Sequence, residues 1–203
     1  IEERYINEPY RLVLSLLSAD LAKASNEDMK SHLLSRDQYH TNLHPDKLLT
    51  PIELIASAMP NSLLHGDLKT ALQQFHIFGL HAARLDIRED SSRFNSALSE
   101  ILRALRIESD FENLPNGERT LLLTHLLARS PMELAQHPGV TAATAEVWAL
   151  FQLIGRVCDV YGREPLGAIV ISMAHSTADV LTVLLLARWA GCTYVPPIAP
   201  LFE

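Results

Sequence analysis

The first part of the chain carries apolar residues at the spacing of an α-helix. From Tyr10 to Leu21 they recur every three or four positions, which predicts a helix. Thr50-Pro51-Ile52-Glu53 has the form of an N-cap, a first-turn proline and a capping-box glutamate. A helix is therefore predicted to start at Thr50, after Pro45 has ended any earlier one. Residues 1–78 are predicted to form a helical region.

Near Gly79 the spacing of the apolar residues changes from that of a helix to every second position. From Leu80 to Arg88 apolar and polar residues alternate, which predicts a strand over about residues 80–88. One face of this strand is unusually charged, because Arg84, Asp86 and Arg88 share it.

A helical insertion over residues 91–162 precedes two further strand patterns. Residues 167–173 are continuously small and apolar, which is typical of a parallel strand buried on both faces. Residues 195–203 are apolar but carry prolines, which predicts a short strand. Ser176 caps a helix between them, so the two strands should be parallel with a right-handed crossover. We predict an α/β, predominantly helical fold, with about three parallel strands and the insertion in residues 79–203.

Composition narrows the classes of function. The chain has 203 residues, of which 48% are hydrophobic, and a formal charge of −7, which argues against a nucleic-acid or anionic membrane partner. No apolar run is long enough to span a membrane. Cys158 and Cys192 suit neither a disulfide framework nor a metal cluster, which favours the cytoplasm.

The carboxyl ends of parallel strands are where α/β proteins place reactive groups. Here those positions are Arg88, Ser172 with Met173, and Glu203. An arginine and a glutamate at strand ends suit a phosphorylated acid held with a divalent metal. Two alternatives remain open: the charged face of the first strand is an internal ion-pair ladder, or Glu203 is an ordinary solvated charge.

The histidines and the known short motifs give little further evidence for a functional site. His40 and His44 have the spacing of two metal ligands on a helix, but no third ligand is evident nearby. His175 follows a strand end and is a candidate neighbour of the site. The chain contains no dinucleotide fingerprint, Walker loop, nucleophile elbow or zinc-protease motif.

Short blocks of the chain resemble, in the same order, segments of the phosphoenolpyruvate carboxylase family. The most specific block runs from Arg84 to Ser91 and is similar to the family strand that ends in Asp-Ile-Arg-Gln-Glu/Asp-Ser. Five colinear blocks over nearly the whole chain are hard to explain by chance. The others are Glu8-Pro9-Tyr10-Arg11, Gly66-Asp67-Leu68, Ile171-Ser172-Met173-Ala174 with Asp179-Val180-Leu181, and Ala199-Pro200-Leu201-Phe202-Glu203.

The resemblance implies a lyase that adds bicarbonate to phosphoenolpyruvate, giving oxaloacetate and phosphate for the tricarboxylic acid cycle. It implies a cytoplasmic homotetramer, an eight-stranded (β/α) TIM-type barrel, of which this chain holds part, and a requirement for Mg²⁺ or Mn²⁺. Arg88 matches the family's phosphate-binding arginine, Arg84 is a further substrate-binding candidate, and Glu203 matches a metal-ligating carboxylate.

Three departures from the family pattern lie near these positions. The family usually has Gln at Glu89, His at Phe94 and Ser at Ala178. None changes Arg88 or Glu203, although Glu89 adds a negative charge beside the expected phosphate site.

The resemblance also implies an incomplete active site. The chain begins at Ile1 and ends on an apolar run, which predicts a segment of a larger protein. The family's catalytic histidine, second metal carboxylate, catalytic lysine and Arg/Gly-rich loop should lie outside it, so the segment alone is expected to be inactive. The alternatives are a non-catalytic helical interaction or regulatory module, and another metal-dependent barrel enzyme acting on phosphoenolpyruvate or pyruvate.

Overall fold

A computed structural model of the chain describes residues 7–21, 45–62, 64–131 and 140–202. Within them, three parallel strands form an open sheet in the order β1-β2-β3. The strands are β1 (Leu85–Asp90), β2 (Leu166–Ser172) and β3 (Ile198–Pro200). The predicted α/β class, mostly helical with three parallel strands, is confirmed.

Helices precede the first strand and connect the three strands along the chain. Those before β1 are α1 (Pro9–Leu21), α2 (Pro45–Ala58) and α3 (Asp67–Phe78). Between β1 and β2 lie α4 (Ser91–Ala104), a 3₁₀ turn (Phe111–Asn113), α5 (Asn116–Ala128) and α6 (Ala142–Tyr161), and α7 (Thr177–Trp189) joins β2 to β3.

The described chain forms two units. One comprises Ile1–Arg84 with Asp159–Pro165, and the other comprises Leu85–Cys158 with Leu166–Glu203. In the first unit the Tyr10 hydroxyl donates to the Ala58 carbonyl at 3.2 Å, which ties α1 to the end of α2. The second unit holds the whole sheet.

The predicted start of α2 at Thr50 is wrong, because the helix begins at Pro45 and contains Pro51. Leu48, Ile52 and Ile55 form one buried stripe that runs past the proline. Burial of this stripe offsets the backbone hydrogen bond that Pro51 does not donate.

The predicted bounds of the outer strands also need correction. β1 begins at Leu85 and not near residue 80, because Leu85 already pairs with Leu166, the first residue of β2. β3 is limited to Ile198–Pro200 within the predicted range 195–203. The prolines before it have no N–H to donate to a ladder.

The core of the second unit lies on one face of the sheet. Ile169 and Ile171 of β2 are buried there, and Ile87 and Ile198 from the neighbouring strands pack against the same cluster. Helices α4 to α7 supply the rest of this core, whose largest members include Phe94, Leu98, Phe111, Leu123, Phe151, Leu185 and Leu186.

Candidate functional site

The sheet face opposite this core carries Arg88. Side chains alternate along a strand, so Arg88 points away from the face of Ile87. In the ladder Arg88 is in register with Val170 of β2, and Val170 is in register with Ala199 of β3. The arginine therefore stands beside Val170 near the carboxyl end of β1, and Ala199 follows one strand further along the same face.

Arg88 is available for a ligand. It is exposed and forms no hydrogen bond or ion pair with the part of its unit that the structure describes. An arginine with unused donors near a strand end suits recognition of a phosphate or carboxylate.

The ion-pair ladder proposed for the charged face of β1 is not formed among the described residues. Asp86 instead accepts a hydrogen bond from the backbone N–H of Ala168 at 2.8 Å, where the ladder between β1 and β2 shifts register. Gly167 makes this approach possible, because a Cβ there would overlap the Asp86 carboxylate oxygen and lie 3.2 Å from its Cγ. Asp86 is a structural residue, and Arg88 has no counterion among the residues that the structure describes.

Arg84 is separated from this ladder. It immediately precedes β1, is exposed, and belongs to the unit that also holds α1 to α3. Its proposed binding of substrate therefore stays a prediction.

A cleft of about 580 Å³ opens where β1 and β2 end. Its walls come from the starts of α4, α5 and α7 and from the loop after β2, and His175 is among its lining residues. His175 thus lines a cleft at the strand ends, and its place beside a substrate stays a prediction. The cleft is also lined by Asp90, Ser91, Asn95, Arg119, Ser176 and Asp179.

Asp179 is the buried acid at the back of this cleft and is only 4% exposed. Its Oδ2 accepts hydrogen bonds from the backbone N–H groups of His175 and Ser176, both at 2.9 Å. Its Oδ1 accepts from Nδ2 of Asn95 at 2.8 Å. Burial would raise the pKa of Asp179, but these hydrogen bonds and the charge of Arg119 together lower it below 3.8.

Arg119 supplies the opposite charge. Its Nη2 lies 3.6 Å from Oδ1 of Asp179, and its guanidinium lies 4.8 Å from the ring centre of Phe111. Its Nε and Nη2 are buried without a hydrogen-bond partner among the described residues. Attraction to Asp179 and to the aromatic face compensates part of the cost of burying this cation.

Hydrogen bonds also join the ends of β1 and β2 directly. The buried Ser91 hydroxyl donates to the Met173 carbonyl at 2.6 Å, and the Ser172 hydroxyl donates to the Glu89 carbonyl at 3.3 Å. Met173 has a φ of 52°, in the left-handed region that a side chain disfavours. The Ser91 bond helps to hold this turn.

The sequence indicated only part of this arrangement. The predicted cap at Ser176 is confirmed, and Asp179 completes a capping box with it at the start of α7. The sequence does not point to Asn95 or Arg119, because each lies in an ordinary helical pattern and meets Asp179 only through the tertiary fold.

No metal centre is defined within the described ranges, where no group of three or more His, Cys, Asp or Glu side chains has suitable geometry. Glu203, His40 and His44 lie outside those ranges. The metal role expected of Glu203 therefore remains a prediction. Among the residues described, no helix is long and apolar enough to cross a membrane.

These features define an α/β protein with a polar site at the carboxyl ends of its parallel strands. The family model of phosphoenolpyruvate carboxylase matches residues 1–203, so the chain belongs to the phosphoenolpyruvate carboxylase family.

Individual relatives agree with this assignment. The chain is 33% identical to the phosphoenolpyruvate carboxylase of Shewanella loihica, with 97% of the chain and 23% of the relative covered. It is 33% identical to that of Edwardsiella ictaluri, with 98% and 23% covered. For Alcanivorax borkumensis the identity is 31%, with 97% and 23% covered. The chain thus spans less than a quarter of the length of these relatives, as the expected segment of a larger enzyme would.

Proposed function

We propose that this chain is part of a phosphoenolpyruvate carboxylase, a lyase that fixes bicarbonate carbon, and that Arg88 binds the phosphate of phosphoenolpyruvate. The family match names the enzyme. The observation that carries the site is Arg88, an exposed arginine on the sheet face opposite the core that has no partner in the described part of its unit.

The proposed reaction transfers phosphate before it forms the carbon–carbon bond. A bicarbonate oxygen attacks phosphorus, the bond from phosphorus to the enol oxygen breaks, and carboxyphosphate and the enolate of pyruvate result. Carboxyphosphate releases carbon dioxide and phosphate, and the enolate carbon then attacks carbon dioxide to form oxaloacetate. The Arg88 guanidinium would donate paired hydrogen bonds to the phosphoryl oxygens and stabilise their charge during transfer.

The proposed cofactor is Mg²⁺ or Mn²⁺, with Glu203 as one ligand. A divalent ion bound there would stabilise the negative charge of the enolate. The described residues offer no complete ligand set, so the roles derived for this chain rest on Arg88 and its surroundings.

We also propose that the sheet is part of a (β/α) eight-stranded barrel. Parallel sheets normally have both faces covered, yet Arg88, Val170 and Ala199 lie on the face without the hydrophobic core of the second unit. Closure of a barrel would turn this face inward, towards its central site. We further propose that residues 1–78 form a helical region that leads into the barrel and that the barrel strands begin after residue 79. The whole enzyme is proposed to be a cytoplasmic homotetramer.

The experiment is an oxaloacetate assay, coupled to malate dehydrogenase, on the full-length carboxylase that carries this chain. Arg88→Ala should lower kcat/KM by about 10²–10³-fold, as loss of a transition-state donor does. Arg103→Ala is the matched control, since Arg103 is also exposed but lies at the far end of α4 and bonds the Ser109 carbonyl. Glu203→Gln tests the proposed metal ligand in the same assay.

Three results are decisive. Loss of activity in Arg88→Ala, with activity retained in Arg103→Ala, supports the phosphate role. Near-normal kcat/KM in Arg88→Ala would overturn that role, and no oxaloacetate from the unmodified enzyme would overturn the proposed function. The 203 residues alone should form none, because they span only 23% of the first relatives.

A further inference from the structure

The carboxylate of Asp179 connects the loop after β2 to the start of α4. Oδ2 holds the backbone N–H groups of His175 and Ser176, at 2.9 Å each, and so orders the turn between β2 and α7. Oδ1 holds the Asn95 amide of α4 at 2.8 Å. Asn95 is fixed in turn, because its Oδ1 accepts from the Thr182 hydroxyl of α7 at 3.0 Å.

The first turn of α4 is continuous with the end of β1. Ser91 begins α4 directly after the strand, and its hydroxyl is bonded to the Met173 carbonyl at 2.6 Å. Arg88 lies two positions before Asp90, the last residue of β1. Any displacement of the start of α4 therefore displaces the strand end that presents Arg88.

We infer that Asp179 is a positioning residue, which acts through Asn95 and the start of α4 to hold Arg88 where it meets the phosphate of the substrate. The inference rests on the proposed function. In the described part of the chain, Asp179 forms no hydrogen bond or ion pair with Arg88, so its action is indirect.

A purely structural role explains this network less well. A helix such as α7 needs only a neutral cap at its start, and burial of a charged pair is a poor source of stability. Here the acid is buried, lies 3.6 Å from the buried Arg119, and has its pKa lowered below 3.8 by the groups around it although burial opposes this. A carboxylate with this many hydrogen bonds holds the groups around it in one arrangement. A strand end that presents a ligand-binding arginine requires such a fixed arrangement.

The test is a double-mutant cycle in the full-length enzyme, with Asp179→Asn and Arg88→Lys made singly and together. Asp179→Asn should raise KM for phosphoenolpyruvate about 10-fold or more and leave KM for bicarbonate unchanged, because a misplaced group costs orders of magnitude in rate. In the Arg88→Lys background the same change should have little further effect on kcat/KM.

Two further variants separate positioning from folding. The exchange Asn95→Asp with Asp179→Asn keeps an amide–carboxylate hydrogen bond between these positions and should restore kcat/KM to within about threefold of the unmodified enzyme. Thr182→Val removes only the hydroxyl bonded to Asn95 and should shift KM in the same direction by less. Glu100→Gln is the control, since Glu100 is also a hydrogen-bonded carboxylate of α4, but it accepts from Thr141 and lies outside the cleft.

The outcomes are distinct. An effect of Asp179→Asn confined to the melting temperature, with both KM values unchanged, would overturn the positioning role. Additive losses in the cycle would show that Asp179 does not act through Arg88 and would also overturn it. An unmodified enzyme that forms no oxaloacetate would instead refute the proposed function on which the inference rests.

Discussion

At the scale of the residue, Asp86 and Gly167 form a matched pair. Asp86 bonds the Ala168 N–H at the register shift between β1 and β2, and Gly167 leaves the space that its carboxylate occupies. The alternation of side chains places Asp86 on a charged strand face. In the structure its carboxylate instead replaces a backbone acceptor between the two strands.

Gly167→Ala should destabilise the chain by about 1–3 kcal/mol, because the added methyl overlaps the Asp86 carboxylate and forces the strands apart. Urea unfolding measures this change in free energy. Gly117→Ala is the matched control, since nothing lies within 4 Å of its added Cβ, and it should be neutral or slightly stabilising. Equal stability of the two variants would contradict the role given to Gly167.

The lowered pKa of Asp179 predicts a pH dependence of stability. A group whose pKa is lower in the folded than in the unfolded state stabilises the fold above its unfolded pKa, here about 3.8, and loses that contribution as pH falls through the folded value. Asp179→Asn should therefore cost about 3 kcal/mol at pH 7, and the difference from the unmodified chain should shrink below about pH 4. Urea unfolding between pH 3 and 7 measures it, and a constant difference would contradict the assignment.

At the scale of the element, the start of α6 depends on a carboxylate from α4. Glu100 accepts from the backbone N–H of Thr141 at 2.9 Å and from its hydroxyl at 2.7 Å, and it also accepts from the Thr144 hydroxyl. These hydrogen bonds, led by that of Thr144, lower the pKa of Glu100 although burial opposes the shift. Glu100, which is distant in the sequence, thus accepts hydrogen bonds at the start of α6 as a local N-cap residue would.

Glu100→Ala should destabilise the start of α6 by about 0.5–2 kcal/mol, the usual cost of losing a cap. Hydrogen exchange at the first amides of α6 should accelerate, while exchange in α7, which has its own capping box, stays unchanged. Uniform acceleration in both helices would indicate global destabilisation instead.

Local sequence patterns predicted which helices and strands exist better than they predicted the first and last residues of each. The continuous apolar run of β2 and the capping box of α7 are properties of neighbouring residues, and both predictions are confirmed. The start of β1 depends on where β2 offers a partner, and the passage of α2 through Pro51 depends on burial of Leu48. Those are tertiary effects that a local pattern does not contain.

At the scale of the whole molecule, the sheet has two free edges in the described part of the chain, one on β1 and one on β3. Leu85, at the start of β1, is 69% exposed. Unpaired edges with exposed apolar residues promote pairing between chains.

The 203-residue chain alone should therefore self-associate as its concentration rises, and Leu85→Lys should reduce this by placing a charge at the β1 edge. Sedimentation velocity over a concentration series measures the effect. Leu121→Lys is the control, because Leu121 is 73% exposed but lies on helix α5. A chain that stays monomeric throughout would contradict the prediction.

The candidate site was predictable only where its residues belong to one short motif. Arg88 stands in a recognisable strand-end pattern and has no partner within the described ranges, and its phosphate role stays a prediction. The Asn95–Asp179–Arg119 network joins residues up to 84 positions apart, so no local spacing reveals it.

The contact between Asp86 and Ala168 limits how this chain can change in length. Side chains of a strand alternate between faces, so one residue inserted between Asp86 and Ile87 would turn Arg88 towards the hydrophobic core and Ile87 away from it. Loops such as residues 105–110 face no such restriction. Evolution of this segment should therefore tolerate gaps in its loops while the count of residues from Asp86 to Arg88 stays constant.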